Sequence, residues 1–518
     1  MRSTGRLLRV LIVNCYFDDS RQSLPRPGKL PLPMGPAYLA GALSRERCDV
    51  RVYCEMASGP LHDAGLLAWP DMLVLTGITC AFDRMLHLAA YARSLNPKVV
   101  IAAGGPAIRA IPQFARRYFD YCCLGDVEEL GEIARQVFGS EFAAEQCFPR
   151  FDLAYWIGTV AHLESSRNCN FRCGFCSLTA EGRGFRRLSL DYFERQLQAV
   201  ERRQIALLID NNFYGNDRPG FLDRVGVLRR MWLEKRFLGW GALVTGDFFL
   251  NPDNLPLVAE SGCVGLFSGV ESFDVEWLNG MNKAHNTRSS AADVIRQCLE
   301  SGLVFVYGMM LDVSSRRAAD LKAEIEWVLS NPMITLPSYY ALATPLPGTP
   351  WFYDCLGERK LLPNTKWRDL EGTTMCVQPL DSIEELRPLL SHTQQLTGYS
   401  MQVLKHQAKL LLRYGRKLSP VKLRALAKSE GMSYAYGFVS NASAWVRGRK
   451  PWAETRTFIS TTEILDPVYR PALPIEPRYQ HYFRPTMLTL PNGELNEELA
   501  ADLGSPKQAT AALSMPGV

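Results

Sequence analysis

The stretch of sequence that decides the fold spans residues 165–178 and reads Ser-Ser-Arg-Asn-Cys-Asn-Phe-Arg-Cys-Gly-Phe-Cys-Ser-Leu. Its cysteines, Cys169, Cys173 and Cys176, have the spacing CxxxCxxC. Three thiolates on one short loop can bind three irons of a four-iron cluster and leave the fourth iron open. A structural zinc site needs four ligands, and neither a second CxxC nor an HxxxH pattern lies nearby. The polar, glycine-containing loop argues against three core cysteines, so the stretch predicts an iron–sulfur site.

The rest of the composition is typical of a globular protein. The 518 residues are 47% hydrophobic and 21% charged, and at about 150 residues per domain this length predicts two to four domains. No apolar run reaches the ~18 residues of a membrane helix, and no secretory signal is visible, so a cytoplasmic location is expected. Disulfides are rare in that compartment, and most of the other cysteines are interpreted as core residues.

Short apolar runs alternate with helical patterns from Leu7 to Gly139. The predicted strands are 8–14, 50–55, 72–77, 99–103 and 121–124, and the predicted helices are 35–45, 83–95, 108–118 and 127–137. This alternation predicts an α/β domain with a doubly wound parallel sheet. Ligands of such sheets bind beyond the carboxyl ends of the strands, where glycines gather here. Composition alone leaves open a structural domain whose glycines serve turns, and the absence of GxGxxG disfavours a dinucleotide site.

Strand–helix alternation resumes after the cysteine loop. The predicted strands are 205–210, 239–245, 264–269, 304–311 and 339–343, with helices between them such as 220–234 and 291–301. Repeated units of this kind predict a barrel, or part of one, that functions at the carboxyl ends of its strands. Polar residues follow two of these strands: Asp210, Asn211 and Asn212, and then Glu271. Asp210 and Asn212 as turn residues, and Glu271 as a helix cap, remain open alternatives.

The cysteine spacing, with Phe175 before the last cysteine, resembles the signature of the radical S-adenosylmethionine (SAM) superfamily. Later segments resemble blocks of the same superfamily: IDNNFYGN (209–216), SGVESFD (268–274), LNGMNK (278–283) and ATPLPGTPWF (343–352). The resemblance implies a partial (β/α)6 barrel, a [4Fe-4S] cluster on the three cysteines, and SAM on the open iron. It also implies that block 209–216 contacts the methionine part of SAM, that Glu271 approaches the ribose, and that Lys283 lies in the pocket.

The N-terminal segment resembles the cobalamin-binding domain that is fused to many radical SAM enzymes. The similarity rests on PMGPAYLA (33–40), GGP (104–106) and FDYCCLGD (119–126). The residues that it implies for clasping the corrin are Thr76, Gly77, Thr79, Gly104, Gly105 and Pro106. The motif DxHxxG is absent, and the corresponding loop, Phe17-Asp-Asp-Ser-Arg-Gln, has no His. Any cobalt would therefore have no His ligand from that motif; His62 and His87 are interpreted as surface or helix residues.

These patterns divide the chain into a cobalamin-binding-like domain (1–140), a linker (141–160), a radical SAM partial barrel (161–375), a helical and extended C-terminal region (376–504) and a disordered tail (505–518). The net charge is +5, yet between Met401 and Lys450 eleven Lys and Arg accompany one acid, Glu430. A solvated helical face, a membrane-surface contact and a charged substrate or partner are the open interpretations; nucleic acid is not expected. The proline-rich, aromatic run 467–485 predicts an extended surface arm.

The predicted function is reductive cleavage of SAM coupled to methylation of an unactivated carbon in a small-molecule or lipid-like substrate. The resemblance implies two SAM molecules per turnover, one that methylates cobalamin and one that yields a 5′-deoxyadenosyl radical. The alternatives are radical chemistry without methyl transfer, such as ring formation, oxidation or rearrangement, and a non-catalytic regulator. The expected partners are an electron donor such as flavodoxin or ferredoxin and, through 401–450, a membrane surface. Hydrogen abstraction needs no general base, so no catalytic side chain is predicted.

Overall fold

The structure is a computed structural model that describes residues 6–16, 33–372, 374–393, 399–431, 446 and 468–504. Several sequence predictions concern other residues. Outside the described part of the chain lie the loop that begins at Phe17, the basic segment from 432 to 450 except residue 446, and the predicted tail 505–518.

The N-terminal sheet contains five parallel strands in the order β2-β1-β3-β4-β5. They are β1 (Leu8–Asn14), β2 (Cys48–Cys54), β3 (Met72–Thr76), β4 (Val100–Gly104) and β5 (Tyr121–Cys123). Val10 and Ile12 pack on one face, whereas Leu11 and Val13 pack on the other, because successive side chains of a strand alternate between faces. The predicted doubly wound parallel sheet is therefore present, and its order reverses between β1 and β3, where such sheets bind ligands.

Helices cover both faces of this sheet. They are α1 (Gly35–Ala40), α2 (Glu55–Ser58), α3 (Ala64–Ala68), α4 (Phe82–Leu95), α5 (Pro106–Ala110), α6 (Pro112–Ala115) and α7 (Glu129–Val137). The predicted helix 35–45 ends at Ala40. The predicted helix 108–118 is instead two short helices, because Pro112 lacks an amide hydrogen and restricts the residue before it.

The second half of the chain begins with a strand that the sequence did not reveal, β6 (Val160–Leu163), followed by an antiparallel pair, β7 (Ser166–Arg167) and β8 (Arg186–Arg187). The cysteine loop and α8 (Ser177–Glu181) lie between β7 and β8. The predicted linker 141–160 packs against the N-terminal domain, where the Arg150 amide donates to the Ala37 carbonyl (2.8 Å).

Parallel strands then form the partial barrel in the order β12-β11-β10-β9-β6, with β13-β14 beside them. They are β9 (Ile205–Leu208), β10 (Gly239–Leu243), β11 (Cys263–Phe267), β12 (Val304–Val306), β13 (Gly308–Leu311) and β14 (Tyr339–Leu342). The predicted strand 304–311 is interrupted at Tyr307, so β12 and β13 share one position. Six strand positions result, which confirms the predicted partial barrel.

The outer layer of the barrel is helical. It contains α9 (Leu190–Gln198), α10 (Arg218–Leu233), α11 (Asn254–Glu260), α12 (Val275–Gly280), α13 (Ala291–Glu300), α14 (Ala318–Ser330) and α15 (Pro350–Gly357). The C-terminal region adds α16 (Ile383–Thr393), α17 (Ser400–Tyr414), α18 (Pro420–Leu426) and α19 (Ala500–Leu503). No helix in the described ranges is both long and apolar enough to cross a membrane.

The segment 468–504 returns to the N-terminal domain and packs on α4. The ring of Phe483 stacks on that of His87 at 4.4 Å, and the Tyr469 hydroxyl donates to Asp83 Oδ2 (2.8 Å). Tyr482 and Phe483 are buried. The prediction of an extended arm on the surface is thus wrong for 477–483, which form a short 3₁₀ helix whose aromatic side chains join the core.

Candidate functional site

The cysteine loop is fixed by backbone contacts to two other segments of the barrel. The Gly174 amide donates to the Met281 carbonyl (2.8 Å), and the Trp351 amide donates to the Gly174 carbonyl (3.0 Å). The Asn282 side chain donates to the Arg172 carbonyl (2.7 Å). These bonds hold the loop against the segments that resemble the LNGMNK and TPLPGTP blocks.

The three thiols lie within electrostatic range of one another and of Lys283. Burial raises the pKa of Cys173 to about 11, the thiolates of Cys169 and Cys176 push in the same direction, and the Lys283 ammonium opposes them. Within the described residues no three Cys, His, Asp or Glu side chains form a group that could hold a single metal ion. Each thiolate of a four-iron cluster binds a different iron, so three cysteines on one loop can each supply one ligand to such a cluster.

Lys283 is a buried cation that lies between a carboxylate and an aromatic ring. Its Nζ is 2.7 Å from Glu271 Oε1 and 5.3 Å from the centroid of Phe175, close enough for a cation–π contact. Burial alone would lower the pKa of Lys283, but the charge of Glu271 raises it overall. A Cβ at Gly269 would lie 2.9 Å from Nζ, so glycine permits the pair. Asp274, and not Glu271, caps the next helix.

The three predicted residues after β9 have different surroundings. Asp210 is fully buried, and its Oδ1 accepts hydrogen bonds from the Ser165 amide (3.1 Å) and hydroxyl (2.8 Å). Asn211 is exposed. Asn212 is buried and donates to Asn170 Oδ1 in the cysteine loop (2.7 Å). The geometry therefore favours the alternative that Asp210 orders the strand end, and it leaves Asn212 as the member of the block that contacts the cysteine loop.

Two buried oxygen atoms at this edge have no hydrogen-bond partner within the described residues. They are Asn212 Oδ1 and Asp247 Oδ2. Asp247 follows β10, and its charge acts to raise the pKa of Cys169, with burial as the larger cause. A buried acceptor left without a donor costs about 1–3 kcal/mol, which a bound ligand with donor groups would recover. Asp247 was not predicted from the sequence, although its place after a predicted strand was a usable signal.

Two further ring side chains at this edge, His285 and Tyr339, were not predicted from the sequence. The ring of His285 stacks on Phe171 of the cysteine loop, with centroids 3.8 Å apart, and burial lowers its pKa to about 4. Tyr339 packs closely over Gly308 and is 47% exposed, yet burial raises its pKa and the charge of Glu271 adds to this. Tyr339 therefore lies near Glu271 with about half of its surface exposed.

The predicted corrin-binding loops meet at the carboxyl end of the N-terminal sheet. Gly105 has a φ of +107°, and a Cβ there would lie 2.6 Å from the Gly77 carbonyl oxygen. Pro106 begins α5, Thr76 ends β3, and the neighbouring Ile78 is 55% exposed. The glycines thus allow two loops to touch, as turn residues do, while Ile78 offers an apolar surface to a ligand. The part played there by Thr79 and Gly104 stays a prediction.

The carboxyl edges of the two sheets, which are the predicted ligand-binding edges, meet at two helices. Helix α5, which follows the GGP loop, contacts α8, which follows the third cysteine. Arg109 of α5 pairs with Glu181 of α8 at 2.9 Å and donates to the Gly125 carbonyl (2.7 Å). Ligands bound at the two edges would therefore be neighbours.

Comparisons with known proteins agree with this geometry. Residues 163–312 match the family model of the Radical SAM superfamily. The structure resembles that of the cobalamin-dependent SAM radical enzyme OxsB with aqua-cobalamin and SAM bound, with a TM-score of 0.55, 16% identity, and coverage of 86% of this chain and 76% of that chain. Residues 163–312 are therefore a radical SAM domain, and the fold of the chain resembles that of OxsB.

Several relatives carry methyltransferase names. One is an uncharacterized methyltransferase of Synechocystis, 25% identical over 345 residues, which are 61% of this chain and 62% of the relative. Another is the hopanoid C-2 methylase of Rhodopseudomonas palustris, 24% identical over 361 residues, which are 64% of this chain and 65% of that one. A bacteriochlorophyllide d C-12(1)-methyltransferase of Chlorobaculum tepidum is 25% identical over 36% of this chain and 41% of its own. The chain spans less than two thirds of the length of these relatives.

Proposed function

We propose that this protein is a cobalamin-dependent radical SAM methyltransferase that methylates an unactivated carbon of a small-molecule or lipid-like substrate. The observation that carries the proposal is the opposition of the two sheet edges, joined by the contact between Arg109 and Glu181. When bound, the cluster would supply an electron to SAM, and cobalamin would supply a methyl group.

The residues of the barrel edge fit these groups. Cys169, Cys173 and Cys176 would hold the cluster. The unpartnered oxygens of Asn212 and Asp247 would accept hydrogen bonds from the ammonium group of SAM, the donor-rich part of that ligand. Lys283 would offset the negative charge of the thiolates and of Glu271. Glu271 would approach the ribose of SAM.

The N-terminal edge would hold the corrin through shape rather than through ligating side chains. Loops 76–79 and 104–106 touch each other. Ile78 is exposed just after β3, the strand that lies between β1 and β4 and next to the point where the strand order reverses. Cobalt would have no His ligand from the absent DxHxxG motif. The barrel interior beside Glu271, bordered by Tyr339, would receive the substrate.

A labelling experiment that needs no substrate tests the proposal. The reconstituted protein is reduced and supplied with corrinoid and with SAM carrying a deuterated methyl group. Mass spectrometry of the recovered corrinoid should then detect the labelled methyl group, and 5′-deoxyadenosine should form on reduction. If 5′-deoxyadenosine forms and the corrinoid stays unlabelled, the protein performs radical chemistry without methyl transfer; if neither product forms, the regulator is the better interpretation.

The proposed partners are an electron donor such as flavodoxin or ferredoxin and, through the basic helices, a membrane surface. No Asp or Glu occurs between 399 and 429. Helix α17 buries Val403 and Leu410, yet its outer face exposes four apolar side chains, namely Met401, Leu404, Leu411 and Leu412. Apolar side chains beside cations are typical of helices that lie on anionic membranes.

Co-sedimentation with vesicles of anionic lipid tests this contact. Leu412→Ser should reduce the bound fraction, whereas Leu233→Ser, at an exposed leucine of α10, should not. Equal binding of both variants would assign the contact to another surface.

Lys417 lies beside Gly302, at the amino-terminal end of β12, so docking there would leave the opposite end of the barrel open.

A further inference from the structure

One carboxylate joins the loop after β5 to both strands that flank the cysteines. Asp126 lies just beyond β5, and its oxygens lie 2.8 Å from Arg183, 3.0 Å from Arg186 and 3.6 Å from Arg167. Arg167 belongs to β7 and Arg186 to β8, where the two residues are paired across the strands. Asp126 therefore holds the base of the cysteine loop.

Neighbouring contacts extend this junction on both sides. Arg167 also pairs with Glu128 (2.9 Å) and Glu164 (2.6 Å), and Arg183 donates to the Leu124 carbonyl. Three guanidinium groups thus meet three carboxylates, and the separate Arg109–Glu181 pair lies nearby because Arg109 also donates to the Gly125 carbonyl. A balanced network of partly buried charges resists separation more than single exposed pairs do, since those contribute little.

The position of Asp126 distinguishes it from other paired acids of the domain. Asp71 also accepts two arginines, Arg6 and Arg9, each at 2.8 Å. It precedes β3, however, and so lies at the amino-terminal edge of the sheet, away from the cysteines. The two aspartates serve the same sheet but opposite ends of it.

We propose that Asp126 is a positioning residue that fixes the cysteine loop against the carboxyl edge of the N-terminal sheet. Its side chain touches neither the cysteines nor the predicted corrin loops directly; it acts through the arginines of β7 and β8. The consequence for the distance between cluster and corrinoid rests on the proposed function, but the positioning of the loop does not.

Hydrogen–deuterium exchange on the protein as purified tests this role without any added ligand. Asp126→Asn keeps the shape of the side chain and removes its charge. Exchange of amides within 166–187 should rise about tenfold, the scale expected when several partly buried ion pairs are lost, while exchange in β9 to β11 stays unchanged. Asp71→Asn should leave 166–187 as in the wild type. Arg186→Gln, at a half-exposed arginine, should give a smaller rise in amide exchange of the same peptides. This variant replaces Asp126→Asn in the test if Asp126→Asn does not fold.

Electron paramagnetic resonance of the reduced cluster adds a readout that general destabilisation would not move. Asp126→Asn should broaden the cluster signal because the cysteine loop takes up several arrangements, and Asp71→Asn should not. Unchanged exchange in 166–187 together with an unchanged signal would overturn the proposal. If the wild-type protein gains no labelled corrinoid while Asp126→Asn still shows both effects, the proposed function is contradicted and the positioning role is kept.

Discussion

The two ligand edges of the molecule are built from different kinds of residue. At the N-terminal sheet, Gly77 and Gly105 bring two loops into contact, and the exposed side chain between them, Ile78, is apolar. At the barrel, Asn212, Asp247 and Lys283 are buried polar groups, and Asn212 and Asp247 each have an oxygen without a hydrogen-bond partner in the described part of the chain. This contrast fits the proposal that a large flat cofactor would be held by shape at one edge, whereas a small charged ligand and a cluster would need the specific side chains of the other.

This difference explains why the sequence carries a much stronger signal for one proposed site than for the other. Thiolate ligands leave a fixed spacing in the sequence, but a surface made by glycine loops leaves only a set of weak patterns. Changing single residues at each edge should therefore have unequal consequences.

The largest effect is expected at the cysteines. Cys173→Ala removes one of the three proposed cluster ligands, so 5′-deoxyadenosine production should fall to background and iron content should drop. Cys147→Ala, at a half-buried cysteine of the linker segment, is the matched control and should keep both. Full production in Cys173→Ala would show that the cluster is held elsewhere.

The next effect concerns the buried charge of the barrel edge. Lys283→Met retains the aliphatic stem but leaves Glu271 unpaired, so SAM affinity should fall about 10–100-fold, the range seen when a supporting group of a metal site is lost. Isothermal titration with SAM measures this. Arg296→Met removes an exposed cation of α13 and should not change the affinity. Wild-type affinity in Lys283→Met would remove this residue from the pocket.

A smaller effect is expected at the glycine edge. Gly105→Ala forces a side chain into a positive-φ position and against the Gly77 carbonyl, at a cost of about 1–3 kcal/mol. Corrinoid content should fall while SAM cleavage persists. Gly226→Ala, on α10 where a Cβ meets nothing within 4 Å, should keep its corrinoid. Loss of both corrinoid content and SAM cleavage in Gly105→Ala would mean that the two edges do not act independently.

The smallest effect is a pH dependence at His285. Its pKa is about 4 in the folded protein and 6.5 ordinarily, so the unfolded chain binds more protons between these values and stability falls as the pH drops through this window. At pH 5 the loss is about 1–2 kcal/mol. His285→Phe should lose less stability between pH 7 and pH 5 in urea unfolding. Identical losses in both proteins would show that His285 is not the titrating group.

Much of the architecture could be predicted because it follows from hydrophobic periodicity and from the cysteine spacing. Strand β6 escaped because four residues with an internal His162 give almost no alternation. Asp247 was not predicted because its importance depends on its burial and on its charge acting on Cys169, and such proximity between distant parts of the chain is not visible in the sequence. The aromatic arm was misplaced because exposure cannot be read from composition; Phe483 is buried only because His87 lies opposite it.

The central claim is that the N-terminal sheet edge binds a corrinoid and the barrel edge binds a four-iron cluster. Its most direct test is the cofactor content of protein purified without oxygen from cells supplied with cobalamin. The expected result is about one corrinoid for each chain together with the iron and sulfide of one four-iron cluster. A complete cluster without corrinoid would contradict the role given to the N-terminal edge, and radical chemistry without methyl transfer would then be the better interpretation.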